Sequence, residues 1–186
     1  AHARRYDCGS RQNPSWPRQK TVPGTKMPVF PEVLEKFAGE DIVFLVETKM
    51  PPRNSPWYVE PTHFARLIYE QLERFGVKQK VILQSFDHDT LHAMHALDPS
   101  IQLALLNPRT HLGDYVTPAE KIGAGWQFIN WSILQPADVK ALQAAGIRVT
   151  SGTTDDPEQW KRLKAMGVDM IVTDDPAGLA KFLGKR

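Results

Sequence analysis

The chain has 186 residues, 41% hydrophobic and 24% charged, enough for one soluble domain with a buried core. Its 23 basic and 21 acidic residues read as interspersed and leave a net charge of +2, a solvated surface rather than the one-sided basic face that binds nucleic acid. The single Cys8 excludes an internal disulfide framework and a cysteine-rich zinc site, and no apolar run reaches the ~18 residues of a membrane span.

The chain opens on Ala1-His2-Ala3-Arg4-Arg5, without Met and without an apolar signal segment. The expectation is either that something has been removed or that this is the downstream piece of a longer protein; the compartment stays open. Pro14, Pro17, Pro23 and Pro28, with Gly9 and Gly24, punctuate a loop-like first thirty residues. A loop of that length is uncommon inside a compact domain and tends to be functional or to lie over a surface. A short helix carrying Val33, Leu34 and Phe37 closes this lead-in, residues 1–40.

From residue 41 to residue 186 the pattern alternates. Residues 42–46 are apolar and rich in β-branched side chains, which predicts a buried strand. Residues 62–75 place Phe64, Leu67, Ile68, Leu72 and Phe75 at helical spacing. A strand at 81–86, a helix at 89–97, a strand at 101–106 and a helix around Ala119 follow. Then come a strand through Phe128 and Ile129, a helix carrying Val139 and Leu142, and a strand at 147–150. A helix with Trp160 and Leu163, a strand at 170–172 and a helix with Leu179 and Phe182 complete the chain.

Gly76, Gly146 and Gly167 each stop a helix ahead of a strand, where glycine takes the left-handed conformation cheaply. Thr117-Pro118, Asp156-Pro157 and Asp175-Pro176 each offer a capping side chain before a proline suited to a first helical turn. Serial βα units imply a parallel sheet. The six strands fall short of the eight in a closed barrel of about 250 residues, and on pattern alone a (β/α) barrel and an open doubly wound sheet are equally supported. No Gly-x-Gly-x-x-Gly follows a strand, so a dinucleotide site has no support.

In either architecture the chemistry sits at the C-terminal strand ends. Those ends present Glu47-Thr48-Lys49, Ser85-Phe86-Asp87-His88, Asn107, Asn130-Trp131, Gly152-Thr153 and Thr173-Asp174-Asp175. A carboxylate leaving a buried strand needs an ion partner or a cation, and Glu47 follows four apolar residues. Lys49, two residues on, points to the same side of an extended strand. The pair can bind a hard divalent cation and a phosphate oxygen, or form a plain salt bridge.

His63, His92 and His95 read as helix-surface or packing residues, His88 as a residue at a helix N-terminus, and His2 and His111 as loop residues without a partner. No pair of histidines has zinc spacing, and Ser85 lacks the glycines of a nucleophile elbow. Asp174 either caps the last helix or braces the rim of the sheet. Trp57 and Trp131 are candidates for lining a cleft, whereas Trp160 reads as packing.

These residues together resemble the glycerophosphodiester phosphodiesterase family. Met27-Pro28-Val29-Phe30-Pro31-Glu32-Val33-Leu34, the strand ending Glu47-Thr48-Lys49, Gln84-Ser85-Phe86-Asp87 and Gly167-Val168-Asp169-Met170-Ile171-Val172-Thr173-Asp174-Asp175-Pro176 are similar to the family's segments in order and spacing. Arg5-Tyr6-Asp7-Cys8-Gly9-Ser10 resembles the stretch before its proline-rich loop in bacterial members.

The resemblance implies a TIM (β/α)8 barrel of the phospholipase-C-like phosphodiesterase type, incomplete here at about six of eight strands. It implies hydrolysis of a small glycerophosphodiester to glycerol 3-phosphate and an alcohol, assisted by a divalent cation such as Mg2+ or Ca2+. By the same resemblance Glu47 is a metal ligand, Lys49 contacts the phosphate, and Phe86 and Trp131 fall on the substrate side.

The family's His-Arg-Gly, Glu-Asn-Thr, further acidic strand and second His before Asp do not occur here. The expectation is therefore that no catalytic residue lies in this chain, that the histidines stand upstream, and that the piece alone is inactive. Gly152 stands where the family commonly has Trp. The alternative reading is a non-catalytic barrel remnant that binds phosphate-containing ligands or a partner, with unfilled edges prone to self-association.

Overall fold

Six parallel strands, β1 (Phe44–Thr48), β2 (Val81–Ser85), β3 (Gln102–Leu106), β4 (Trp126–Asn130), β5 (Arg148–Gly152) and β6 (Met170–Ile171), lie side by side in chain order in the computed structural model. The structure describes residues 3–17, 19–108 and 113–185, which leaves His2 and His111 outside the described residues. Helices α1 (Phe30–Phe37), α2 (Pro61–Arg74), α3 (His88–Leu97), α4 (Val116–Ile122), α5 (Pro136–Ala144), α6 (Pro157–Met166) and α7 (Pro176–Phe182) alternate with them.

Two observations decide between the architectures that the pattern left equal. A doubly wound sheet reverses its strand order at a switch point, and this order runs β1 to β6 without reversal. Such a sheet also carries helices on both faces. Here Leu83, Leu105, Ile129 and Val149 pack on helix residues such as Leu91, Leu142 and Leu163, while Ile82, Ala104 and Trp126 cluster only with Leu45 and Met170 of other strands. The second cluster is the concave face of a curled half-barrel.

The helices follow their caps and stripes. In α2 the buried positions are Pro61, Ala65, Ile68 and Leu72, one line of a 3.6-residue repeat. Leu67 falls off that line and is exposed, with Phe64 and Phe75 half-buried at its margins. Asp156 and Asp175 cap α6 and α7 as their Asp-Pro pairs predict. The Thr117-Pro118 expectation fails by one turn: Asp114 Oδ1 accepts from the amides of Val116 and Thr117, so the helix starts earlier. Gly76, Gly146 and Gly167 have φ of 66°, 75° and 79°, the left-handed stop expected of them.

The first strand is also shifted. It begins at Phe44, and Ile42 and Val43 are exposed, because β1 has a strand neighbour on one side only and its entry lies beyond the helix layer. After a short 3-10 helix at Ala3–Arg5, residues 6–17 and 19–29 run as a loop with an antiparallel bridge, Asp7 to Lys26.

Candidate functional site at the strand ends

All six strands being parallel, their C-terminal ends share one rim. At the β1 and β2 ends, Glu47 pairs in register with Gln84 and Thr48 with Ser85. Ser85 Oγ donates to the Thr48 carbonyl at 3.2 Å and accepts from the Asp87 amide at 2.9 Å. Asp87 Oδ1 then accepts from Thr90 N and Thr90 Oγ1 at 2.8 and 2.6 Å, which caps α3. This chain of bonds makes a tight β2–α3 turn and leaves Phe86 exposed at its tip.

An open cleft results, lined by Glu47, Thr48, Lys49, Arg53, Tyr58 and Phe86 among others. Lys49 Nζ donates to Glu47 Oε1 at 2.5 Å, with the lysine side chain 80% exposed and the glutamate 25%. A pair that open to water is worth at most about 1 kcal/mol, so the ammonium is easily displaced from the carboxylate. Arg53 donates to Asp89 at 3.1 Å and stands over the Tyr58 ring at 5.8 Å. The buried Thr48 Oγ1 and Tyr58 hydroxyl have no hydrogen-bond partner among the described residues.

The structure thus brings Glu47, Lys49 and Phe86 together. Trp131 is half-buried against the main core and its carbonyl accepts from Arg162, away from this cleft, and Trp57 is 79% exposed outside its lining. His88 is exposed as the first residue of α3, His63 and His92 are exposed on helices, and His95 is half-buried against Gly123.

A second cleft opens at the β5 and β6 ends, where Asn13, Ser15, Trp16 and Gln19 of the lead-in loop face Asp155, Asp174 and Asp175. Asp155 Oδ1 accepts from Thr173 Oγ1 and from the amides of Asp174 and Asp175 at 2.7, 2.8 and 3.2 Å. Asp175, not Asp174, caps α7. Asp174 braces the rim by accepting the Trp16 indole N–H at 3.3 Å. Gly152, at φ 150°, lies against the Val172 carbonyl so closely that an added Cβ would collide with it.

Arg53, Tyr58, Trp16 and Asp155 escaped the sequence reading. All lie in loops without periodicity, and Asp155 was masked by Asp156, the adjacent residue that does cap a helix.

A hard divalent cation takes about six oxygen ligands. The cleft supplies the Glu47 carboxylate, Asp87 is engaged at the α3 cap, and among the described residues no group of three or more His, Cys, Asp or Glu side chains is placed to hold a metal. The described residues by themselves do not complete a cation site.

A curled parallel sheet with helices on its outer face is the architecture of a (β/α) barrel, here incomplete. The glycerophosphoryl diester phosphodiesterase family profile matches residues 1–178, and the chain belongs to that family, a family of phosphoric diester hydrolases.

A glycerophosphodiester phosphodiesterase of Bacillus subtilis is 25% identical over 185 residues, covering 95% of this chain and 61% of its own. A glycerophosphoryl diester phosphodiesterase from Silicibacter pomeroyi superposes with TM-score 0.81 at 21% identity, over 91% of this chain and 60% of that one. A phosphodiesterase from Oleispira antarctica, solved in complex with its product sn-glycerol-3-phosphate, gives TM-score 0.75 at 18% identity, over 86% of this chain and 62% of that one. The chain spans about three fifths of the length of these relatives.

Proposed function

We propose that this chain supplies the Glu47–Lys49 side of a site that hydrolyses small glycerophosphodiesters to glycerol 3-phosphate and an alcohol. The carrying observation is that Glu47 and Lys49 emerge from β1 into one cleft with Phe86, in a chain of this family. The product complex of the Oleispira relative supports the choice of substrate. Such a reaction belongs to lipid and glycerol metabolism.

In this reading Glu47 provides one oxygen ligand to a divalent cation, Mg2+ or Ca2+, which when bound would polarise the phosphoryl oxygen. Lys49, released from Glu47, pairs with a phosphate oxygen, and Phe86 shields one wall of the cleft from water. Trp131 keeps a substrate role only if the bound diester reaches across the rim to the β4 end. We assign proton transfer and the remaining cation ligands to residues outside these 186, because neither His-Arg-Gly nor Glu-Asn-Thr occurs in the sequence.

The test is glycerol 3-phosphate release from glycerophosphocholine, with and without Mg2+ or Ca2+. The 186 residues alone are expected to release none. A natural reading frame that carries those two motifs upstream is expected to turn over, and to lose activity on Glu47→Gln; a frame that lacks them overturns the placement. Robust turnover by the 186 residues, abolished by Glu47→Gln, would overturn the placement of the proton-transfer residues. Phosphate binding without turnover in the extended protein would instead favour the non-catalytic remnant.

A further inference from the structure

The balance of charge over the whole chain conceals a local excess. Residues 1–29 contain Arg4, Arg5, Arg11, Arg18, Lys20 and Lys26 against one acidic residue, Asp7, so this segment is strongly cationic and the remainder of the chain is net acidic. Asp7 is exposed and offsets one of these six charges; its carboxylate fastens the loop by accepting from the Ser10 hydroxyl at 2.5 Å and from the amides of Gly9 and Gly24 at 2.9 and 2.8 Å. Arg4 is paired with Glu32, whereas Arg5, Arg11, Lys20 and Lys26 are exposed and make no ion pair among the described residues.

The same segment exposes its apolar side chains. Tyr6, Trp16, Val22, Met27 and Val29 are each at least 40% exposed. They are held in a defined loop, because the Asp7–Lys26 bridge and the Cys8 N to Thr25 O and Val22 N to Gly9 O bonds tie its two arms together. Trp16 fixes the loop to the β6 end through Asp174, so it sits on the same rim as the Glu47 cleft.

We propose that the lead-in loop, residues 3–17 and 19–29, is a docking surface for a bilayer containing anionic phospholipid. Charge complementarity selects an anionic partner. The apolar component selects a lipid surface over a nucleic acid: aromatic rings with polar edges settle at the headgroup level, and Val22, Met27 and Val29 gain from the acyl boundary but have no face on which a base stacks. Docking is peripheral, since no helix among the described residues is long and apolar enough to span. It would hold the strand-end rim toward the surface, and it does not depend on the hydrolase reading.

The experiment is sedimentation of the 186-residue chain with vesicles of phosphatidylcholine alone and with roughly one third phosphatidylglycerol. The expected result is at least about tenfold more bound protein on the anionic vesicles, lost in ~0.5 M salt. Arg11→Glu with Lys20→Glu should abolish that excess, and Val22→Ser with Met27→Ser should reduce it severalfold, with circular dichroism unchanged. If the charge-reversed pair misfolds, Arg11→Gln with Lys20→Gln reads the same effect more weakly. Equal binding to both vesicles, binding to neither, or undiminished binding by the folded charge variants overturns the proposal. So does salt-sensitive capture of a single-stranded oligonucleotide without vesicle binding.

Discussion

Two carboxylates on the same rim are used in opposite ways. At the β1 end Glu47 meets, among the described residues, one exposed lysine side chain. At the β5 end Asp155 is enclosed by the Thr173 hydroxyl and two backbone amides that fix the β6–α7 turn. An acid that joins a hydroxyl and two amides of one turn is part of that turn's scaffold, because removing it releases several donors at once. An acid held by one mobile side chain can exchange that partner for a ligand at small cost. Exposure of the partner, more than that of the acid, separates the two roles.

The comparison breaks first on activity. In the protein extended to its complete site, Glu47→Gln is expected to lower glycerol 3-phosphate release by about 100-fold or more. The 186-residue chain with the same change should keep its unfolding free energy in urea within about 0.5 kcal/mol of the parent. A large stability loss would make Glu47 scaffold after all.

Asp155→Ala inverts the pattern, with an expected destabilisation of about 1–2 kcal/mol in urea unfolding, since the Thr173 hydroxyl and the Asp174 amide lose their charged acceptor while the Asp175 amide keeps Thr173 Oγ1. Gly152→Ala is expected to cost about 1–3 kcal/mol by the same measurement, because its φ disfavours a side chain and the Val172 carbonyl blocks the Cβ. Lys49→Met should change stability by less than about 0.5 kcal/mol, as an ion pair with so exposed a lysine contributes little.

The smallest effect concerns the lead-in loop. The Ser10 hydroxyl, followed by the Gly24 and Gly9 amides, lowers the Asp7 carboxyl from 3.8 to about 2. A lowered folded-state value means that the fastening is complete above pH 3.8 and is lost as pH falls through about 2. Amide exchange at Gly9 and Gly24 should accelerate over that window, and Asp7→Asn should remove the pH dependence. A transition near the ordinary carboxyl value would show that these bonds do not hold the loop.

Much of the fold was legible because its signals are local. Gly167 ends α6 and Asp156-Pro157 begins it whatever surrounds them, since capping is chemistry between near neighbours. Val81-Ile82-Leu83 reads as a strand because a run buried on both faces is apolar throughout. Where a signal depended on what lay opposite, the reading slipped. Ile42 and Val43 are apolar yet exposed beside an edge, and Thr117 lost the cap to Asp114. Arg53, Tyr58 and Trp16 reach their clefts through loop geometry that no periodicity encodes.

By itself the sequence determined the alternation of strands and helices, the parallel sense of the sheet and the place of Glu47 and Lys49 at a strand end. Each follows from spacing along the chain. Only the tertiary structure decided that the sheet curls with helices on one face, that Phe86 and Arg53 join Glu47 while Trp131 stays with the core, and that Asp155 belongs to the scaffold. Those outcomes depend on which residues distant in sequence are packed together, and packing is settled by the competition of whole elements for burial.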